Sequence, residues 1–471
     1  MPIFEVQNTT KLKLFFLIFL FAPVFLYSQQ NYCISNIYIE GNTITKSKII
    51  IRELPFKQGD TIVADKLEGV LKLAKNNLLN LSLFNFVYIK KNSDPDNDST
   101  LDITINVEER WFIWPLIDIK FEDRNLSNWI RTSDGNRITL DAGFRIYNLW
   151  GLNHTVSASY KFGYHKGFRL GYENISLGQT GRHVLGFVVS GQFSKTENFI
   201  SLFNSPVYNR SVNEFAVKKI SAGINYTFRP QIRVSHSVMV KYENISISDT
   251  ILKLNPKYWG NSDTTRNSLS LNYSFISDQR DNYQYPLEGY LIKGELRGYI
   301  NSNNTVRYGQ LRTNLQYYLP LSEKWNVCAN LTSGISMKNV QAYIFDQAIG
   351  YEDATLRGYE FYVDDGQQFV TFNPTIKYNI LPTKVYVLKF LSFLPKFRKI
   401  HFTIYGKAFF DVGYSHHSYP NFSNFLSNKF LCSGGVGLDL ITYYNINLSI
   451  DYSFNQLKEH GFFFSIKSLL F

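Results

Sequence analysis

The chain has 471 residues, of which 44% are hydrophobic and 16% are aromatic, and its formal net charge at pH 7 is +11. So many aromatic residues in a chain of moderate hydrophobicity are typical of strands that alternate apolar and polar side chains, as in membrane barrels. A helical membrane protein would contain several apolar runs of about 20 residues, and the sequence has none beyond its N-terminus. Lys and Arg are scattered rather than collected in a stripe, so we do not expect nucleic acid as a partner.

The first 28 residues have the pattern of a secretory signal peptide. Lys11 and Lys13 precede an apolar run at residues 14–27, and Ser28 follows it. The run is shorter than the ~18 residues that a membrane-spanning helix needs. We therefore predict that residues 1–28 direct export and are then removed. Leu26 is not the small residue usual at the third position before a cleavage site, so the exact cleavage site stays open.

Residues 32–109 carry a mixed pattern that predicts a small soluble α+β domain. The predicted elements are a strand at 33–39, helices at 45–53 and 64–79, and strands at 84–90 and 101–107. In this order the strands make a three-stranded sheet covered by two helices. The exposed edge of such a sheet can bind an extended peptide as an additional strand.

Residues 111–471 consist of β segments of about ten residues separated by turn residues. The segment at 289–300 shows the alternation most clearly. Its apolar face carries Tyr290, Ile292, Leu296 and Ile300, and its charged face carries Lys293, Glu295 and Arg297. Lipid solvates only the outer face of a membrane barrel, whereas a soluble β-sandwich buries its apolar face in a core. We predict an all-β transmembrane barrel of about sixteen antiparallel strands, centred near residues 117, 142, 158, 170, 187, 220, 238, 271, 294, 311, 331, 374, 406, 435, 449 and 466.

Long and short connections alternate along this region, as in known membrane barrels. The long ones, which we expect at the outward end, span residues 194–211, 246–264, 339–368 and 414–429. The turns at the inward end, on the side of the soluble domain, are mostly tight. The connection at residues 380–399 is an exception because it is long and falls at the inward end. Its apolar and basic residues fit either an amphipathic segment on the inner leaflet or an extended pair of strand ends with a bulge.

Four short motifs stand out from the strand pattern. They are Leu356-Arg357-Gly358-Tyr359 in the connection at 339–368, Asp278-Gln279-Arg280 followed by Pro286 and Gly289, Phe409-Phe410-Asp411-Val412-Gly413, and Gly434-Gly435-Val436-Gly437. Arg357 stands among apolar and aromatic neighbours, and an unpaired buried charge costs several kcal/mol. Asp411, the one acid in an apolar run, is its best candidate partner. The alternative is a solvated surface loop in which Arg357 has no special role.

These motifs, in this order after the mixed N-terminal domain, resemble those of the BamA/TamA-type outer-membrane assembly and translocation barrels, the bacterial surface antigen family. The two-partner-secretion translocators belong to the same family. The N-terminal pattern Ile39-x-Gly41-Asn42-x-x-Thr45 looks like that of a POTRA domain, the periplasmic module that precedes such barrels. The resemblance covers essentially the whole mature chain. This chain has one such module where well-known assembly factors carry several, which leaves room for a specialised role.

The resemblance implies a role for each motif. In the family, a loop folds back into the barrel, which places Arg357 at its tip against Asp411 on the inner wall, with Gly358 at the turn and Tyr359 packed beside them. We call these four residues the loop lock. The resemblance also marks Asp278, Arg280, Pro286, Gly289, Gly413, Gly435 and Gly437 as structural motif residues and Phe471 as the C-terminal barrel signal.

The resemblance further implies a protein-handling barrel that inserts β-barrel proteins into the bacterial outer membrane, or translocates polypeptides across it, through a laterally gated seam. A POTRA domain in the periplasm is expected to receive the substrates. The expected partners are unfolded outer-membrane or secreted polypeptides, outer-membrane lipid, and periplasmic or lipoprotein accessory factors. The alternatives are a passive diffusion porin and a dedicated two-partner-secretion exporter. The sequence shows no nucleophile with a positioned base and no metal-ligand spacing of histidines, so we expect neither an enzyme nor a cofactor.

Overall fold

The computed structural model describes residues 30–94, 97–121, 138–178, 180–210, 214–387, 399–442 and 446–467. The predicted signal peptide at residues 1–28 and the C-terminal Phe471 lie outside these ranges, and so do residues 388–398. The described residues contain no helix of the length and apolar character that crossing a membrane requires.

The N-terminal domain contains a four-stranded sheet and two helices. Its elements are β1 (Asn31–Glu40), α1 (Ser47–Ile51), β2 (Thr61–Val63), α2 (Ala64–Asn80), β3 (Phe84–Asp94) and β4 (Asn97–Glu109). The strand order is β2-β1-β4-β3, with β1 parallel to β4 and the other pairs antiparallel. The prediction of three strands was wrong, because β2 pairs with residues 31–33 of β1. A strand of three residues is too short to show an alternating pattern in the sequence.

The helices and the sheet of the N-terminal domain enclose a hydrophobic core. On the helix side its buried residues are Leu67, Leu71, Ala74 and Leu78 of α2, and on the sheet side they are Leu101, Ile103, Ile105 and Val107 of β4. The side chains of α2 recur at helical spacing and those of β4 alternate along the strand, so both sets point into the same core. Full burial of one such aliphatic side chain contributes about 1.5–3 kcal/mol, so the domain has a core of its own.

The rest of the chain is dominated by strands. In chain order they are β5 (Ile113–Phe121), β6 (Ile138–Leu149), β7 (His154–Gly163), β8 (His165–Leu177), β9 (His183–Ser194), β10 (Thr196–Leu202), β11 (Ser205–Arg210), β12 (Val217–Gln231), β13 (Val234–Ile247), β14 (Thr265–Asp278), β15 (Gly289–Asn301), β16 (Arg307–Pro320), β17 (Trp325–Lys338), β18 (Gln347–Ile349), β19 (Asp364–Asp365), β20 (Gln368–Val387), β21 (Lys399–His416), β22 (Phe430–Thr442), β23 (Ile446–Asn455) and β24 (His460–Lys467). All except β10, β11, β18 and β19 form one antiparallel sheet of 16 strands in chain order. The predicted barrel of sixteen strands is confirmed, and each predicted centre falls inside its strand.

The outer surface of the barrel is apolar and its interior is polar. On β15, the exposed outer face carries Tyr290, Ile292, Leu296 and Ile300. On the inner face, Glu295 forms ion pairs with Lys293 and Arg297. Large contiguous apolar patches are rare on monomeric proteins in water, so the outer band indicates contact with lipid acyl chains.

The barrel has a near end, which contacts the N-terminal domain, and a far end opposite to it. The long connections at the far end are residues 195–216 with the β10–β11 hairpin, 248–264 with the helix α3 (Asp249–Leu254), 339–367 with a 3-10 helix (Tyr343–Phe345) and the β18–β19 hairpin, and 417–429. At the near end, β20 and β21 are long and their pairing shifts register within residues 379–384. The described part of the connection at 380–399 thus consists of extended strand ends with a bulge, one of the two predicted alternatives.

The first and last strands of the sheet, β5 and β24, form a boundary in the barrel wall. Within the described ranges no ladder of paired residues joins β5 to β24, whereas every other pair of neighbouring barrel strands is joined by one. Ladders of backbone hydrogen bonds hold strands together. Among the described strands, the boundary between β5 and β24 therefore has the fewest backbone hydrogen bonds of the wall, and we call it the seam.

Candidate functional site in the barrel lumen

The far-end connection at residues 339–367 folds back onto the inner wall of the barrel. Leu356 and Tyr359 are buried there in a cluster that includes Leu431 of β22. Gly413 of β21 faces this cluster, and a Cβ atom at Gly413 would lie 2.8 Å from Cδ1 of Leu356. The side chain of Leu356 would have to shift if residue 413 carried a Cβ atom, so the glycine allows this close packing of the loop against the wall.

Arg357 and Asp411 form a bidentate ion pair inside the barrel. Arg357 Nη2 donates to Asp411 Oδ1 at 2.6 Å, and both Nε and the backbone N–H of Arg357 donate to Oδ2 at 2.9 Å. Nη2 also donates to Thr375 Oγ1 at 3.0 Å. The guanidinium carbon lies 3.8 Å from the centre of the Phe409 ring, a cation–π contact. Because Asp411 is 0% exposed, these donors replace the water that its carboxylate group has lost.

Gly358 and Tyr359 complete the tip of the loop. Gly358 has a φ of +89°, which residues with a Cβ rarely adopt. Its carbonyl oxygen accepts a hydrogen bond from Asn455 Nδ2 at 2.7 Å, and its N–H donates to Glu360 Oε2 at 2.7 Å. The Tyr359 hydroxyl donates to the backbone carbonyl of Cys432 at 3.2 Å. The loop lock therefore contacts β22 and β23 in addition to β21.

Gly435 and Gly437 of β22 leave room for inward side chains of the neighbouring strands. A Cβ atom on Gly435 would lie 2.7 Å from Cζ of Phe409, the ring that supports the loop-lock arginine. A Cβ atom on Gly437 would lie 2.1 Å from Asp451 Oδ1 and 2.9 Å from Lys407 Cε. These two motif glycines thus admit an aromatic support for the loop lock and a lumenal ion pair.

The remaining motif builds the near-end turn at residues 279–288. Arg280 forms a bidentate pair with Asp278, with Nη2 2.6 Å from Oδ2 and Nε 2.8 Å from Oδ1. Gly289 ends the turn with a φ of +102°, and a Cβ atom there would lie 2.2 Å from the carbonyl oxygen of Gln279. Both features fix the path by which the chain leaves β14 and enters β15.

Tyr285, the residue before Pro286, extends from this turn across the lumen. Its hydroxyl donates to Asp439 Oδ2 of β22 at 2.8 Å. The centres of the Tyr285 and Tyr405 rings are 5.1 Å apart. Lys377 Nζ lies 3.9 Å from the centre of the Tyr285 ring. Because β16, β17 and β20 stand between β15 and β21 in the sheet, Tyr285 joins distant parts of the wall. The turn narrows the near end of the lumen as the folded loop narrows the far end.

Family comparison matches both parts of the molecule. Residues 148–466 match the Omp85 superfamily domain, which is more than half of the chain. The chain belongs to the Omp85 superfamily. Residues 32–110 match the POTRA family, described as a surface antigen variable number repeat. These matches confirm the resemblance to the BamA/TamA-type family with a single POTRA region.

Two solved structures are similar to this Omp85 chain. BamA from Haemophilus ducreyi lacking POTRA domains 1–3 has a TM-score of 0.50 and 14% identity, over 92% of this chain and 84% of that chain. CdiB from Escherichia coli has a TM-score of 0.51 and 11% identity, over 92% of this chain and 75% of that chain. A search of curated proteins gave no match. At these identities the similarity shows the fold alone.

Three lumenal charges of this Omp85 barrel were missed in the sequence. Lys407 Nζ lies 2.7 Å from Asp439 Oδ1 and 2.8 Å from Asp451 Oδ1. Ser449 Oγ also donates to Asp439 Oδ1 at 2.5 Å. The signal that could have found them is the one that pointed to Asp411, namely a single charged residue at an inward position of a strand with apolar outward positions.

A lumenal cavity of about 480 Å³, which we call the chamber, lies between the loop lock and the near-end turn. Its lining includes Arg357, Glu360 and Asp411 on one side, Tyr285, Pro286, Lys407 and Asp439 on the other, and Phe463 and Ser465 of β24. In the part of the chain that the structure describes, no three His, Cys, Asp or Glu side chains are grouped to hold a metal ion. The chamber of this Omp85 barrel is lined by charged, polar and aromatic side chains, and its wall includes one strand of the seam.

Proposed function

We propose that the chain is an outer-membrane protein-handling barrel whose POTRA domain lies in the periplasm and receives substrates. It inserts β-barrel proteins into the bacterial outer membrane or translocates polypeptides across it. The observation that carries the proposal is the seam, where β5 and β24 share no ladder in the described ranges and the chamber reaches β24. An incoming strand can pair with such an edge through backbone hydrogen bonds, whatever its side chains.

The N-terminal domain offers edges of the same kind. β2 pairs only with residues 31–33 of β1, so residues 35–40 have a strand neighbour, β4, on one side only among the described elements. β3 stands at the opposite end of the sheet order. An extended polypeptide can add to either edge, and its transfer to the seam exchanges one set of backbone hydrogen bonds for another.

A passive diffusion porin is the alternative function. The near-end turn and the folded loop both narrow the lumen, and a diffusion pore has no use for a peptide-binding POTRA domain, so the structure favours protein handling. A dedicated two-partner-secretion exporter is a special case of translocation. The fold similarity to BamA and to CdiB, with TM-scores of 0.50 and 0.51, does not favour insertion over export.

In this proposal the chain is not an enzyme and needs no cofactor, because strand exchange involves only hydrogen bonds and apolar contacts. Its partners are unfolded outer-membrane or secreted polypeptides and the lipid of the outer membrane. Periplasmic or lipoprotein accessory factors belong to the same proposal.

The test is depletion of the protein followed by proteomics of the outer membrane and of the medium. Broad loss of barrel proteins from the membrane supports insertion, and loss of particular secreted proteins supports export. An unchanged proteome together with reduced uptake of small solutes would overturn the proposal in favour of the porin. Re-expression of the wild-type chain is the control, because it must restore whichever proteins were lost.

A further inference from the structure

The N-terminal domain is docked against the near-end turns of the barrel. Arg229, at the end of β12, donates from both terminal nitrogens to Glu53, at 3.0 Å to Oε1 and 2.8 Å to Oε2. Arg233, the residue before β13, donates from Nε to Asn77 Oδ1 of α2 at 2.7 Å. These contacts bring cationic turn residues of the barrel directly under the POTRA domain.

A cavity of about 510 Å³, which we call the junction cavity, lies between the domain and these turns. Its charged lining consists of Arg52, Lys57, Arg182, Arg229 and Arg233, with Glu53 and Asp60 as the acids. Five cationic side chains thus face two carboxylates, an excess of three positive charges among the described lining residues. An excess of this kind attracts an anion, most strongly where protein excludes water.

Both carboxylates of the junction cavity are already engaged. Asp60 Oδ2 accepts the backbone N–H of Lys57 at 2.8 Å. Glu53 binds Arg229, and its Oε1 lies 3.3 Å from Nε of Arg52. The acids of the lining therefore leave Arg233 without a carboxylate.

One buried guanidinium nitrogen at the junction cavity, Nη2 of Arg233, lacks a hydrogen-bond partner among the residues that the structure describes. Nε of Arg52 makes no well-aligned hydrogen bond, although it lies 3.3 Å from Glu53 Oε1. Burial lowers the pKa of Arg52, and the charge of Arg229 lowers it further against the opposing effect of Glu53. A buried donor without an acceptor is unfavourable, so an anionic ligand that supplies an acceptor to Arg233 is favoured here.

The contacts of the two barrel arginines show which way they point. Arg229 lies at a register shift near the end of β12, and Arg233 precedes β13, so alternation along the strand does not fix their orientation. Both side chains bond to the N-terminal domain, Arg229 to Glu53 and Arg233 to Asn77. The junction cavity therefore lies between the POTRA domain and the barrel turns rather than on the lipid-facing surface.

The junction cavity also has an apolar side, formed by Leu54, Pro55, Phe56, Leu73 and Ile232. We propose that it binds a carboxylate of the client polypeptide, an acidic side chain or the C-terminus, with an apolar residue next to it. Guanidinium groups match carboxylates in a bidentate geometry, and the apolar side distinguishes a peptide from a small inorganic anion. The proposal rests on the proposed function, and it adds that clients are recognised by charge where the POTRA domain meets the barrel.

The test uses the full chain in lipid nanodiscs and short fluorescent peptides of one apolar sequence in three forms. One form carries acidic side chains and an amidated C-terminus, one has neutral side chains and a free C-terminal carboxylate, and one is neutral and amidated. Binding is followed by fluorescence anisotropy. We expect one or both carboxylate forms to bind at least about tenfold more tightly than the neutral amidated form. A factor of ten in affinity corresponds to about 1.4 kcal/mol, and a hydrogen bond to a charged group contributes at least this much.

Arg233→Gln and Arg182→Gln should each remove most of this preference, with a loss of about tenfold in affinity for the carboxylate peptide. Arg307→Gln is the matched control, because Arg307 lies at the far end, where its Nε donates to Asn304. The folded state of each variant is checked by the heat-dependent shift of its electrophoretic mobility. The two variants are independent, so one that does not fold leaves the other as the test.

The outcomes separate this proposal from the proposed function. If all three peptides bind alike and the two variants behave as wild type, the junction site is wrong while polypeptide binding stands. If no peptide binds in any form, both proposals fail. If inorganic phosphate binds but the carboxylate peptides show no preference, the cavity is a general anion site and the client proposal is overturned.

Discussion

Removal of the Arg357 side chain tests whether the loop lock holds the far-end loop. Arg357→Ala deletes two hydrogen bonds to the carboxylate of Asp411, and in the described structure that carboxylate keeps only the backbone N–H of residue 357. The variant also loses the contact with Phe409. Removal of one partner of a buried ion pair destabilises by about 3–5 kcal/mol, because the other charge stays buried without compensation.

This loss acts mainly on the equilibrium between the folded-back loop and an open loop. Because each 1.4 kcal/mol is a factor of about ten, the open population should rise roughly a hundredfold to several thousandfold. The measurement is hydrogen exchange by mass spectrometry on peptides from residues 339–368. The backbone N–H of Gly350, bonded to Ala354 at 2.8 Å, and the N–H of Tyr359, bonded to Leu356 at 3.1 Å, report the opening.

Glu352→Gln is the control on the same loop. Glu352 also forms a two-bond pair with an arginine, Arg297, at 2.9 and 3.1 Å, but its side chain is 50% exposed. It also lies 3.2 Å from Nη1 of Arg312, which keeps its pair with Asp353 in the variant. An exposed pair contributes about 0–1 kcal/mol, so this variant should exchange nearly as the wild type does. Charge reversal at Asp411 should have the effect of Arg357→Ala, and the swap of both charges should partly restore protection.

Equal exchange in Arg357→Ala and wild type would refute the reasoning. The same holds if Glu352→Gln opens the loop as strongly as Arg357→Ala, because the energetic difference between buried and exposed pairs would then be absent.

Two further predictions concern a hydroxyl and a proton. Tyr285→Phe keeps the ring but removes the hydrogen bond to Asp439, and should lower the free energy of unfolding in lipid vesicles by about 2 kcal/mol. Burial raises the pKa of Asp365, in the far-end loop, from 3.8 to about 7. The folded chain then holds this proton more tightly than the unfolded chain, so the contribution of Asp365 to stability is largest below pH ~4 and falls by about 4 kcal/mol as the pH rises through ~7. Asp365→Asn should flatten this dependence of the thermal midpoint.

The controls for these predictions lie in the same chain. Tyr419→Phe alters a hydroxyl on an exposed residue of the far-end loops and should leave the unfolding free energy unchanged. If Tyr285→Phe also leaves the free energy of unfolding unchanged, the hydroxyl contributes no net stability. If the thermal midpoint of Asp365→Asn keeps the pH slope of the wild type, Asp365 does not carry the proton in question.

The strand architecture could be predicted because lipid imposes the alternation. On β15, each outward residue from Tyr290 to Ile300 had to suit acyl chains or small gaps between them, so the period of two is visible in one sequence. β2 was not predicted because a strand of three residues, Thr61–Val63, is too short to show an alternation of apolar and polar residues. Its existence depends on the tertiary contact with residues 31–33, which no local pattern encodes.

Some contacts between lumenal side chains could also be predicted from the sequence, and others could not. The pair of Arg357 and Asp411 could be predicted from the sequence because each is a lone charge among apolar neighbours, and a buried charge requires a counter-charge. Tyr285 could not be placed, because its contact with Asp439 exists only after the sheet has curled and brought distant strands together. The ion pairs of Lys407 could not be predicted for a related reason. They depend on the register between β21 and β22, in which Lys407 lies opposite Gly437.

The turn at residues 279–288 is anchored on both of its sides, and the two anchors differ in their exposure to water. Toward α2, the exposed Glu288 pairs with Lys72, and the side chain of Asn80 exchanges hydrogen bonds of 3.2 and 3.3 Å with the backbone of the turn. Toward the lumen, the buried hydroxyl of Tyr285 donates to a carboxylate. Exposed pairs contribute about 0–1 kcal/mol and a hydrogen bond to a charged group about 1.5–3 kcal/mol. A mechanical load that a tethered chain applies through α2 therefore reaches this turn directly, and the contact of Tyr285 in the pore opposes displacement of the turn.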